Sequence, residues 1–270
     1  DVPLLCELLV ERGDFDTARE LIDARLARHV FTDREQQGWP LVHLAALETW
    51  QGDHDAARLA VDEALEITAG TESPIATAYA LAIGCRCEAD VAEHARRYDD
   101  TAEKERANSR AHSFVDHMST LMQLPGPAEG WKREVGALRL QCDAELLRAR
   151  GIGDPTAWAT VTAAWDAMNM PYHGAYTRFR QAEAANAVET ERDRVSELLM
   201  EAHGVASSLG AAPLQLMIEA FARRCRLEIG TTQPDRHPAL TKREHDVLQR
   251  LSAGDTNRQI DAALFISEKT

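Results

Sequence analysis

A stretch near the start of the chain returns 39 residues later. Arg12-Gly13-Asp14-Phe15-Asp16-Thr17-Ala18-Arg19 recurs as Gln51-Gly52-Asp53-His54-Asp55-Ala56-Ala57-Arg58. Under the same shift Leu8 falls on Leu47, Ile22 on Val61, Asp23 on Asp62 and Leu26 on Leu65. A glycine can take the left-handed conformation that ends one helix, and an aspartate after it can cap the next. Small residues such as Ala18 and Ala57 then let the two helices pack closely. The pattern predicts helix pairs joined at Gly-Asp, each needing its neighbour to bury its apolar face. A shift of 177 places Val195, Leu198, Leu199 and Ala202 on Ala18, Leu21, Ile22 and Arg25. The packing positions hold while the others drift.

The rest of the body reads as helix as well. Glu72-Ser73-Pro74 ends the second unit and starts another helix. Ile75 to about Ala107 is rich in Ala and charge, with a break expected near Tyr98-Asp99-Asp100, and it continues through Ser113 and Met118. Leu124-Pro125-Gly126-Pro127 is the clearest loop. Trp131 to Arg150 is expected to be a helix with Val135, Leu138, Cys142 and Leu146 on one face. Gly151 to Asp154 breaks it, and Pro155 suits the first turn of the next helix. Trp158 and Trp165 share a helix face, as do Tyr172, Tyr176 and Phe179. We read this aromatic stripe as inter-helix core in preference to a ligand pocket; Tyr172-His173-Gly174 then serves to set a hairpin. Glu191 to Leu209 is a helix, residues 210–213 a turn, and Leu214 to Leu227 the last helix of the body. Residues 228–238 have the Pro, Gly and Thr content of a linker.

Charge is placed unevenly. From His237 onward the basic residues Lys242, Arg243, Arg250, Arg258 and Lys269 balance the acidic Glu244, Asp246, Asp255, Asp261 and Glu268. The whole net charge of −14 therefore lies on the preceding residues. An acidic body is repelled by nucleic acid, so DNA contact is expected only through the end segment. Five cysteines are scattered and odd in number, which suits a reduced cytoplasm and small buried apolar roles. Cys85-x-Cys87 lacks a second ligand pair for zinc. There is no apolar run long enough for a membrane span and no signal peptide, so a cytoplasmic location is expected. The chain starts at Asp1 and stops inside a motif, and is expected to be a fragment of a longer protein.

That motif occupies residues 240–270. Thr241-Lys242-Arg243-Glu244 and Thr256-Asn257-Arg258-Gln259 both have the capping-box form, Ser267 is a third candidate N-cap, and Gly254 suits the end of the first helix. The residues Leu240-Thr241-x-Arg243-Glu244, Val247-Leu248, Gly254, Asn257-Arg258-x-Ile260, Leu264 and Ile266-Ser267-Glu268-Lys269-Thr270 resemble the LuxR-type helix-turn-helix family. Asp261 departs from the small residue, commonly Ala, that the family usually carries where its two helices approach. The recognition helix would start at about Ser267, so most of its base-reading residues would follow Thr270, and this chain alone is expected to bind duplex DNA no better than nonspecifically.

The helix pairs resemble tetratricopeptide repeats, whose hairpins of about 34 residues stack into a superhelix. Together with the end segment they are similar in plan to the C-terminal part of the large ATP-binding, MalT-like LuxR-type regulators. The resemblance implies an all-α chain in three parts: a tetratricopeptide-like domain over 1–227, a linker over 228–238 and an incomplete helix-turn-helix domain over 239–270. It implies promoter DNA as partner through the complete C-terminal domain. Protein partners or self-association would go through the repeats, where a small-molecule inducer is a further expectation. Lys242, Arg243, Arg258, Lys269 and Thr270 are candidate phosphate contacts, which position a motif without reading sequence. Leu240, Val247, Leu248, Leu251, Ile260, Leu264 and Ile266 would form the small core. No phosphate-binding Gly-Lys run occurs, so ATP binding is assigned upstream, and no cofactor is expected here. His112 and Asp116, with His117 beside them, read as a solvated helix face in preference to a metal site. No arrangement of nucleophile and base supports an enzyme. The second reading is a tetratricopeptide-like interaction scaffold with a vestigial end motif, which Asp261 and the neutral end segment favour.

Overall fold

The computed structural model describes residues 2–27, 34–70, 75–123, 129–188, 192–227 and 229. Among them are eleven α-helices and no strand, as the sequence predicts: α1 Val2–Arg12, α2 Phe15–Leu26, α3 Arg34–Gln51, α4 His54–Thr68, α5 Ile75–Arg97, α6 Thr101–Leu121, α7 Glu129–Ala149, α8 Pro155–Asp166, α9 Pro171–Ala187, α10 Arg192–Leu209 and α11 Ala212–Cys225. They belong to one unit that ends at Ile229. The expected breaks at 72–74 and 124–127, and the whole segment from 230 on, lie outside the described residues.

The Gly-Asp junctions are helix-ending turns of one kind. Gly13 (φ 82°) and Gly52 (φ 78°) are left-handed. Asp14 N–H donates to the Leu9 carbonyl and Asp53 N–H to the Glu48 carbonyl, which closes the preceding helix. The same turn recurs at Asp99, Gly151, Asn169, Gly210 and Arg226, all with positive φ. Asp99 supplies the break expected inside residues 75–118, so that stretch becomes α5 and α6. Pro155 begins α8 behind the Asp154 cap, which accepts from the N–H groups of Thr156 and Ala157. The last helix starts two residues earlier than read from sequence. Pro213 lies in its first turn, where a missing N–H costs no hydrogen bond.

The repeat is visible in the packing. Ala18, Ile22, Ala57 and Val61 are buried, as are Val195, Leu198, Leu199 and Ala202. Leu8 breaks the correspondence: it is 43% exposed, while its counterpart Leu47 is sealed. The reason is position, since α3 is packed by helices on both sides in the chain. Sealed side chains such as Leu47, Leu81, Leu199 and Ile218 each contribute about 1.5–3 kcal/mol relative to exposure. Helix α5 touches α3, α4, α6 and α7. So many neighbours require small contacts, and its buried residues include Ala78, Ala82, Gly84, Cys85, Ala89 and Ala92. Ile229, at the start of the stretch read as a linker, is buried with this core.

The helices form two layers. Successive inner helices α1, α3, α5, α7 and α9 turn one face toward a central cavity, with α2, α4, α6, α8 and α10 behind them. The course curves until α11 meets α1. Gly13 faces Pro213 so closely that a Cβ there would come within 2.9 Å of the proline ring.

Candidate functional site

The central cavity has a volume of about 90 Å³ and is built from five inner helices. Its walls are Glu7, Val10 and Glu11 of α1, Trp39, Val42, His43, Ala46 and Trp50 of α3, Tyr79, Ala82, Ile83 and Arg86 of α5, Leu138 and Gln141 of α7, and Tyr172, His173 and Tyr176 of α9. Trp50 and Arg86 also line a wider cavity of about 600 Å³ toward α11. Arg86 lies between two rings, 3.9 Å from the Trp50 centroid and 4.7 Å from that of Tyr176.

Aromatic stacking fixes the two cavity histidines. His173 lies against Trp165 with centroids 4.4 Å apart, and Tyr79 and Tyr172 contact its other sides. His43 stacks on Trp39 at 5.7 Å. Its Nε2 is buried and finds no hydrogen-bond partner, and the same holds for Arg86 Nε. Burial lowers the pKa of both histidines to about 4, with the Arg25 charge adding to the effect on His43.

Acidic groups gather on one side. Tyr79 donates to Glu134 at 2.7 Å. Burial and then the Glu134 charge raise the pKa of Glu7, while burial and then Glu7 raise that of Glu11 to about 8. Ligand atoms of Glu7, Glu11 and His173 all lie within 4.8 Å of one another.

Behind the cavity a charge network ties α5, α7 and α9 together. Arg148, 8% exposed, pairs with Asp90 at 2.8 Å, Glu93 at 3.2 Å and the sealed Glu145 at 2.6 Å. Arg180 pairs with Asp90 at 3.3 Å and Glu183 at 2.5 Å, and donates to the Tyr176 hydroxyl at 3.1 Å. Tyr176 in turn donates to Glu145 at 2.6 Å. Burial alone would raise the Asp90 carboxyl, but the Arg148 and Arg180 guanidiniums outweigh it and hold the pKa at about 2. A second ladder joins consecutive pairs: Arg19 reaches Glu48 at 2.7 Å, and its repeat counterpart Arg58 reaches Glu88 at 2.5 Å.

The aromatic stripe read from the sequence divides between two roles. Trp158, Trp165 and Phe179 are core, with Trp158 edge-on to Tyr176 and Phe179 edge-on to Phe221. Tyr172 and Tyr176 line the central cavity. His112 and Asp116 stand 3.8 Å apart on an exposed face of α6. Cys6, Cys85, Cys87 and Cys142 are buried, and burial pushes the Cys87 thiol up to about 12. Lys242, Arg243, Arg258, Lys269 and Thr270 lie outside the described residues. The sequence reading missed Glu7, Glu11, His43 and Arg86. The only signal for them was that Glu7 and Glu11 are one helical turn apart; what they face depends on chain distant in sequence.

Residues 238–270 match the family model of bacterial regulatory proteins, luxR family. No curated protein and no solved structure matches the chain. No described helix is long and apolar enough to cross a membrane.

Proposed function

We propose that the chain is part of a DNA-binding transcription regulator, cytoplasmic, in which the helical body is a tetratricopeptide-like platform for sensing and assembly. The observation that carries this reading is the match of residues 238–270 to the luxR family of regulatory proteins. The charge distribution agrees: the acidic part of the chain disfavours nucleic acid, and the neutral end segment does not. The recurring left-handed turns and the alternation of inner and outer helices support the repeat reading. The central cavity supports sensing, because binding there would bridge five helices at once. An upstream ATP-binding domain of the MalT-like plan belongs to the same proposal.

Within the end segment, Lys242, Arg243, Arg258, Lys269 and Thr270 contact phosphates, and base reading falls to the recognition helix that begins near Ser267. The test is duplex binding by the full-length natural protein, titrated over a range of salt. Arg258→Ala and Lys269→Ala are each expected to weaken binding evenly across sequences. Each should also reduce the log–log salt slope by about 0.9. An unchanged affinity and slope in both variants would refute the contact assignment. Failure of the full-length protein to bind any duplex would favour the interaction scaffold.

A further inference from the structure

We propose that Glu7, Glu11 and His173 form a binding site for one divalent transition-metal ion, zinc foremost, inside the central cavity. The proposal is independent of the regulator reading, since it concerns the body alone.

Three observations carry it. The first is convergence. Glu7 and Glu11 are one turn apart on α1, while His173 comes from the first turn of α9, far away in the chain. One ligand atom from each lies within 4.8 Å of the other two. Ligands about 2.0–2.2 Å from a zinc ion need only a modest closure from that spacing. The second is that these carboxylates have no cationic partner: among the described residues no basic side chain forms an ion pair with Glu7 or Glu11. Two neighbouring carboxylates with no direct ion pair favour a cation; Arg86, which lines the same cavity, stacks between Trp50 and Tyr176 instead. The third is His43, on the same cavity wall. It is 5% exposed, and its Nε2 has no hydrogen-bond partner. A polar guest in the cavity would satisfy that nitrogen, which lies outside the three-ligand group itself.

The donor set selects the class of ion. One imidazole with two carboxylates suits zinc and its first-row neighbours, whereas magnesium and calcium prefer all-oxygen shells. Three protein ligands leave a tetrahedral ion one open position toward the cavity. The rings of Trp165, Tyr79 and Tyr172 already hold the His173 imidazole in place.

The experiment is calorimetric titration of zinc into the metal-free 270-residue chain, with cobalt(II) absorption as a second readout. We expect one zinc per chain. Cobalt should give the visible bands of a low-coordinate nitrogen–oxygen site without a thiolate charge-transfer band. Glu7→Gln, Glu11→Gln and His173→Gln should each weaken binding by at least about tenfold, because losing a ligand costs no less than losing a ligand's supporting partner. His112→Ala, on the exposed α6 face, should leave binding unchanged. Circular dichroism of each metal-free variant checks that it folds, and the glutamine changes keep side-chain size. The absence of stoichiometric binding would overturn the proposal. So would binding that survives both folded glutamate variants, or a thiolate band that assigns the ion to cysteine.

Discussion

Asp90 lies where arginines from two other helices meet, and its chemistry has a direct consequence for stability. Its carboxyl is held at about 2 in the fold, against about 3.9 in an unfolded chain. The ionised form is therefore favoured by folding. The contribution, about 2 kcal/mol, is fully present above pH 4 and is lost as pH falls through 2. Asp90→Asn should flatten the fall of urea-unfolding stability over that window while lowering stability at pH 7. Arg148 holds the other end of the network. Removing it as Arg148→Ala leaves Asp90, Glu93 and the sealed Glu145 without their shared cation. A loss of about 3–5 kcal/mol at pH 7 is expected from urea unfolding. The sequence did not single out these residues, because a chain this acidic offers many candidate carboxylates. Only burial distinguishes Asp90 and Glu145 from the solvated ones.

At the scale of the element, sequence was most informative where a turn needs a particular backbone. Gly13 and Gly52 marked helix ends because only glycine enters that region without cost, and both take it. The breaks at Asp99 and Asn169 use residues that tolerate the same conformation less well; the first was legible from its Tyr-Asp-Asp context. Equivalent caps nevertheless differ in energy. Asp53 accepts a hydrogen bond from Ala56 N–H, whereas Asp14 makes no such cap bond and accepts instead from the Thr17 hydroxyl. Asp53→Ala should cost about 1 kcal/mol in thermal or urea unfolding, and Asp14→Ala distinctly less. Equal losses would show that the two junctions are energetically the same unit. The aromatic helices show the opposite case. Spacing placed Tyr172 and Tyr176 on one face, but whether that face met core or cavity depended on α1, α3 and α5 across from it.

Across the whole body, the contact between its first and last helices is testable with the same turns. Gly13 and Gly52 share a left-handed conformation, so an added methyl strains either one by about 1–2 kcal/mol. Gly52 has open space around it, while Gly13 faces Pro213. Gly13→Ala should therefore destabilise the fold more than Gly52→Ala, and Pro213→Ala should relieve part of the excess. A double-mutant cycle measured by urea unfolding checks this. Equal losses in the two single variants, with no coupling to Pro213, would mean that the contact between α1 and α11 contributes nothing.

By itself the sequence determined that the body is helical and where several of its helices end. Those features are local: backbone freedom at Gly13 and Gly52, proline at the head of α8, and a 39-residue recurrence of packing positions. It also supplied the luxR-type motif of the end segment, which is carried by residue identity in a short register. The tertiary structure alone decided what faces the interior. Glu7, Glu11, His43, Arg86 and His173 line one cavity because five helices curve around it. Curvature of that kind sums small rotations over every helix pair, and no short stretch of sequence contains the sum.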